Sequence, residues 1–271
     1  MVRKSFTCAL ITGASLGLGR AFAQECAARG MRLVLVALPH SGLPELGESI
    51  ARSRGVQVDW LEADLTEPAS LERLAAMIRS KGIEVDLLVN NAGIGSVGLF
   101  LDSAIEYLDA TIRVNALALV RVTRLFLDGH RGGENAHILN VASLGAFFPM
   151  PTLSVYSATK SFVLYYSLAL REELSGSVGV SVLCPNAIRT TSEVEDYVDR
   201  LGLVCRLACL TPERIAGLAL DGAARDEAII VPGLFNRALA AVGRVVPRTV
   251  AMRAIRRYWG GFSSAGGSSV A

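Results

Sequence analysis

Short apolar runs alternate with amphipathic stretches along the chain. CALIT, RLVLVA and VQVDWLE are separated by GLGRAFAQECAARG and LPELGESIARSRG, in which apolar residues recur every three or four positions. Runs of Val, Ile and Leu bounded by Gly, Asn or Pro read as strands, and the three-to-four recurrence reads as helix. The same criteria give further strands at 85–90, 136–142, 178–185 and 227–231, and helices over about 70–81, 107–128, 154–175 and 211–224. The last helix opens on Thr-Pro-Glu, a start signal that combines a hydroxyl cap with proline in the first turn. Strand and helix in alternation imply parallel strands joined by right-handed crossovers, and strands apolar at nearly every position suit a sheet covered on both faces. The pattern predicts an α/β, doubly wound parallel sheet of seven strands. With no internal repeat and no linker, one domain is expected over residues 1–262, followed by the tail SSAGGSSVA at 263–271, whose composition is that of a disordered end.

Composition narrows the function classes. A chain of 271 residues can bury one large core, and 51% hydrophobic against 19% charged residues fits that sheet. A formal charge of +2 gives no reason to expect nucleic acid. No apolar run approaches the roughly 18 residues of a membrane span, and the start MVRKSFTCALITG reaches glycine too soon for a signal peptide. A soluble, cytoplasmic protein is expected. Its five cysteines are odd in number and scattered, which argues against a disulfide framework or a zinc site.

The first strand runs into ITGASLGLGRAF, placing Gly13, Gly17 and Gly19 in the turn and first helical turn. Glycines there let backbone approach a pyrophosphate, whose charge is stabilised by the free N–H groups at the helix start. Glycine also serves turns and caps for conformational reasons alone, so the loop by itself is a weak signal. A second feature is PTLSVYSATKSF, where Tyr156 and Lys160 stand one helical turn apart and project from one face.

Taken together, TGASLGLG at 12–19, Asp64 and Leu65, NNAG at 90–93, Asn115, Ser143, YSATK at 156–160 and PNAIRT at 185–190 resemble the short-chain dehydrogenase/reductase family over roughly residues 6–235. The resemblance implies strand order 3-2-1-4-5-6-7, a nicotinamide dinucleotide across the carboxyl ends of the strands, and hydride transfer at a carbinol or carbonyl carbon. It implies catalytic roles for Asn115, Ser143, Tyr156 and Lys160. Ser143 would orient the substrate oxygen, Asn115 would support a proton relay through water, and Lys160 would bond the nicotinamide ribose. Cofactor contacts are implied for Gly13, Ser15, Leu16, Gly17, Gly19, Asp64, Leu65, Asn91, Ala92, Gly93, Tyr156, Lys160, Pro185, Asn186, Ile188 and Thr190. An alcohol loses hydride only if its hydroxyl proton leaves too, so Tyr156 is read as the general acid/base. Its phenol, with an ordinary pKa of about 10, is expected to be lowered by the Lys160 ammonium. Asn90 and Asn91 could instead only end a strand, and Asp64 either begins a helix or contacts adenine.

The chain departs from the family pattern in places. After the second strand Ala37, Leu38 and Pro39 supply neither the carboxylate that bonds an NAD ribose nor a cation for the NADP phosphate. Nothing there repels the phosphate, and Arg20 or His40 could reach it, so NADP is favoured over NAD. Asn186 replaces the glycine of the family's Pro-Gly turn, and asparagine tolerates the positive φ that turn would need. Residues 190–210 are read as a lid over the substrate, or else as a packing helix. The arginine-rich stretch 234–259, with Pro247 dividing two helices, is read as packing on the body or closing an oligomer, membrane-surface contact being the less favoured alternative.

The expected partners are a small alcohol or carbonyl compound and a second copy of the chain, as a dimer or tetramer. Two functions compete: an NAD(P)-dependent oxidoreductase acting on a secondary alcohol or ketone, and a catalytically silent dinucleotide sensor that keeps the fold to bind another protein. Retention of all four catalytic residues favours the enzyme, because a sensor needs only the glycine loop.

Overall fold

A computed structural model describes residues 4–95, 98–130, 136–186 and 209–246. Seven parallel strands form one sheet in the order β3-β2-β1-β4-β5-β6-β7. In chain order the strands are β1 (Cys8–Thr12), β2 (Arg32–Ala37), β3 (Val58–Glu62), β4 (Leu87–Asn90), β5 (His137–Val141), β6 (Gly179–Leu183) and β7 (Ile229–Ile230). The connecting helices are α1 (Gly17–Ala28), α2 (Leu43–Arg54), α3 (Pro68–Ser80), α4 (Ile105–Ile112), α5 (Leu119–Gly129), α6 (Ser154–Glu173), α7 (Pro212–Ala224) and α8 (Leu234–Val245).

Alternation along each strand divides the core in two. Ala9, Ile11, Leu33, Leu35, Val89 and Leu139 meet α1, α2 and α7 on one face, while Leu10, Val34, Leu88, Ile138 and Val180 meet α3, α5 and α6 on the other. Because both faces are apolar, the strands read as continuous Val/Ile/Leu runs. A third cluster joins α6 and α8 to the segment after β5 through Leu144, Ala146, Val163, Leu164, Val182 and Ala240. Thr211 caps α7 by accepting from the Arg214 amide at 3.4 Å, as the Thr-Pro-Glu signal predicts.

One element differs in kind from its expectation. The helix expected over 107–128 is interrupted by a wider, π-helical turn at Arg113–Ala118, between α4 and α5. Such bulges re-aim the residues they carry and occur often at functional sites. This one turns Asn115 inward, leaving it 1% exposed.

Candidate active site at the carboxyl ends of the strands

The strand order places the ends of β1 and β4 side by side at the centre of the sheet, where the chain crosses from one face to the other. Crevices form at such switch points. The loop after β1 enters this one with Gly13 at φ 63° and Gly17 at φ 51°. A Cβ on Gly19 would overlap the Gly13 carbonyl, so only glycine lets α1 start so close to the strand. Leu16, ahead of α1, provides no side-chain cap, and the first turn carries no carboxylate. The first N–H groups of α1 are therefore available to an anion. Ser15, Leu16 and Arg20 line a groove of about 600 Å³ that runs on between α1 and α2.

Asn91 braces this loop. Its Nδ2 donates to the carbonyls of Thr12 at 3.0 Å and Gly13 at 3.1 Å, while the amides of Asn91 and Ala92 each donate to Thr12 Oγ1 at 3.0 Å. Asn90 points the other way, into the interior, where its Nδ2 bonds Thr123 Oγ1 and Asn140 Oδ1 at 2.9 and 2.8 Å. Asn140 in turn donates to Ser167 on α6 at 2.9 Å. One asparagine of the pair thus shapes the loop, and the other ties β4, β5, α5 and α6 together.

The second cluster gathers around α6. Lys160 is 5% exposed, and its Nζ donates to the Val141 carbonyl at 3.0 Å. Burial lowers its pKa to about 8, a shift that negative charge on the Cys184 sulfur would oppose. Tyr156 lies on the same face, with Nζ 5.8 Å from its ring centroid. Burial raises the Tyr156 pKa, and a hydrogen bond with Ser143 opposes that rise. The expected lowering by Lys160 is thus not what the structure shows: desolvation of the phenolate dominates, and burial also weakens the hold of Lys160 on its own proton.

Asn115 closes the cluster from the π-helical turn. Its Oδ1 accepts from the Ile94 amide at 2.8 Å, and its Nδ2 donates to the Ile94 carbonyl at 2.8 Å and to Thr159 Oγ1 at 3.1 Å. A Cβ on Gly93 would sit 3.2 Å from both Asn115 Oδ1 and Lys160 Nζ, and one on Gly95 would strike the Tyr156 ring. Gly95 and Thr159 were not singled out in the sequence. Thr159 stands inside YSATK, so its position was visible, but its partner on another helix was not.

The remaining expected contacts are placed less uniformly. Asp64 Oδ1 accepts from both the amide and the hydroxyl of Thr66 at 2.8 Å, the turn that precedes α3, and the Leu65 side chain is buried. Pro185 offers its carbonyl to the Leu144 amide at 2.7 Å, beside Ser143. The non-glycine residues with positive φ are His40, Thr152 and Asp226 among the described residues, so Asn186 does not take the conformation expected of it. At the end of β2, Ala37 is buried and Leu38 is 57% exposed. A carboxylate does approach this loop from β3, since Glu62 is opposite Ala37 and accepts from the His40 amide at 2.8 Å. Ile188, Thr190 and nearly all of the expected lid lie outside the described residues, as does the arginine-rich stretch beyond 246.

The sequence pattern of short chain dehydrogenases matches residues 7–200. The chain belongs to the short-chain dehydrogenase family. Among its relatives, the very-long-chain 3-oxoacyl-CoA reductase of Bos taurus is 35% identical over 180 residues, covering 64% of this chain and 56% of that protein. The chain spans about half the length of the curated relatives it matches. Among solved structures, a short-chain dehydrogenase from Sphingobium yanoikuyae in complex with NADPH is 31% identical, with TM-score 0.71 over 98% of each chain. The bulky-bulky ketone specific alcohol dehydrogenase from Comamonas testosteroni is 26% identical, also with TM-score 0.71, over 98% of this chain and 96% of that one.

Proposed function

We propose that this short-chain dehydrogenase is an NAD(P)-dependent oxidoreductase that interconverts a secondary alcohol and a ketone, with Tyr156 as general acid/base. The observation that carries the reading is the convergence of Ser143, Tyr156 and Lys160, with Gly93 against Lys160 and its neighbours Asn91 and Ala92 against the glycine loop. The residues fit a dinucleotide: the glycine loop leaves backbone N–H groups accessible to a pyrophosphate, and no carboxylate in the first turn opposes it. The bound nicotinamide would supply or accept the hydride. Everything else falls to this chain's own groups.

A raised pKa keeps Tyr156 a phenol near neutrality, the form that gives a proton to the oxygen of a ketone being reduced. The Ser143 hydroxyl acts on that of Tyr156, and a carbonyl oxygen entering between them would accept from both hydroxyls. Lys160, held by the Val141 carbonyl, keeps its ammonium near the phenol and within reach of a ribose hydroxyl. The side chain of Asn115 is engaged by Ile94 and Thr159, so it acts by positioning the loop after β4. Cofactor choice favours NADP(H), supported by the NADPH complex of the Sphingobium yanoikuyae relative and by the lack of a carboxylate on Leu38. A ketone with apolar substituents is supported by the exposed Phe100, which lines a small pocket together with Tyr156, and by the very-long-chain 3-oxoacyl-CoA and bulky-bulky ketone named for the Bos taurus and Comamonas testosteroni relatives.

Ile105 and Ile112 on α4 and Phe162 and Tyr165 on the neighbouring α6 are exposed apolar residues. They support a homo-oligomer formed through this face, which light scattering on the purified protein would test. No described helix is long and apolar enough to cross a membrane. The buried free thiols of Cys8 and Cys26 support a reducing, cytoplasmic setting.

Replacing Tyr156 with Phe tests the central assignment. Turnover of a ketone panel with NADPH and NADH should fall by about 10²–10⁴-fold, the range a positioned proton donor contributes. Dinucleotide affinity should change little, because the pyrophosphate is held elsewhere. A Phe variant turning over near the parent rate would remove Tyr156 from the chemistry.

A further inference from the structure

Asn186 stands where the family carries glycine, and it leaves β6 alongside the turn that follows Ser143. Its amide would crowd the crevice unless something directs it elsewhere. Its Nδ2 donates to Asn236 Oδ1 at 3.0 Å. Asn236 lies in the first turn of α8 and is 2% exposed. The orientation of its amide is set independently, because its own Nδ2 donates to the Pro232 carbonyl at 2.8 Å, which leaves Oδ1 facing Asn186. Gly233, at φ 90°, turns the chain from β7 into α8 so that Asn236 arrives at this position. Further along, α8 packs against the segment after Ser143: a Cβ on Gly243 would come within 2.6 Å of Phe148 Cζ. The helix therefore touches both the Asn186 wall and the Ser143 wall.

We propose that Asn236 is a positioning residue for the dinucleotide crevice, holding the Asn186 amide against α8 and out of the space that glycine leaves open in relatives. The proposal rests on the oxidoreductase reading above. It explains how the chain carries asparagine at 186 without the positive φ of a glycine turn: the side chain has a fixed acceptor of its own.

The test is a cycle of four proteins: the parent, Asn236→Leu, Asn186→Gly and the double variant. NADPH and NADP⁺ dissociation constants are measured by fluorescence titration and the melting temperature by calorimetry. Leucine keeps the number and branching of side-chain heavy atoms at 236, and Asn236→Ser, read in the same two backgrounds, replaces it should the leucine protein not fold. Asn236→Leu should weaken NADPH binding about five- to tenfold, the equivalent of one neutral hydrogen bond. In the Asn186→Gly background the same change should alter the dissociation constant less than twofold, whatever it does to melting. An equal loss in both backgrounds would mean that Asn236 only supports α8, and no loss in either would equally overturn the proposal. Failure of the parent protein to bind NADP(H) or NAD(H) would strike the oxidoreductase reading itself, a result separable from the other two.

Discussion

His137, at the start of β5, is fully buried and makes acid stability depend on a residue far from the active site. Its Nε2 lies 2.8 Å from Ser181 Oγ, and that hydroxyl already donates to the Glu227 carbonyl. The ring proton must therefore sit on Nε2, leaving Nδ1 bare, buried and without a hydrogen-bond partner. Asp226 Oδ1 is 3.7 Å from Nδ1 and favours protonation, but its carboxylate is shared with Arg171 at 2.8 Å. Burial, with the Lys4 and Arg171 cations, outweighs it and lowers the His137 pKa to about 3. An unfolded histidine titrates near 6.5, so below that pH the unfolded chain takes up a proton that the folded one refuses. Stability from this residue is thus unchanged above pH 6.5 and falls as the pH drops toward 3. At about 1.4 kcal/mol per pH unit, the loss from pH 7.5 to pH 5 amounts to about 2 kcal/mol. Urea unfolding of the parent and of His137→Leu at pH 7.5, 6 and 5 measures it. The stability difference between the two proteins should move by about 2 kcal/mol in favour of the variant on acidification. A difference independent of pH would refute the neutral-histidine reasoning.

Three further outcomes follow from the same geometry. Gly19→Ala forces a methyl into the Gly13 carbonyl, and should lower stability by about 1–3 kcal/mol in urea unfolding and reduce NADPH affinity in titration. Asn140→Ala leaves the Asn90 amide short of a buried acceptor, and should destabilise by about 1–3 kcal/mol in the same assay. Leu38→Arg should raise the NADPH-to-NADH ratio of kcat/KM by up to about fivefold, diminishing with salt because the new charge is exposed, while Leu38→Asp should lower it.

The order of strands and helices was legible in the sequence because burial on both faces writes itself as contiguous Val, Ile and Leu, and crossover helices write themselves as three-to-four recurrence. CALIT, RLVLVA and AHILNVA needed no more than that. The glycine loop and the Tyr156–Lys160 pair were legible for a similar reason: their requirements, a close backbone approach and a shared helical face, are met within a few residues of chain. What depended on residues distant in the chain was not. The π-helical turn at Arg113–Ala118 shows no break in the apolar pattern, yet it is what brings Asn115 to Ile94 and Thr159. The direction of the Tyr156 pKa was misjudged from spacing alone, because one helical turn places a cation nearby but says nothing of how much water the fold removes from both groups. Asn186 is the same case at the level of the backbone. Its sequence position suggested a glycine substitute at positive φ, whereas α8 brings Asn236 to its amide from fifty residues away. Local chemistry is set by neighbours in the chain and can be read from it. Desolvation and partner choice are set by neighbours in space, and only the tertiary structure decides them.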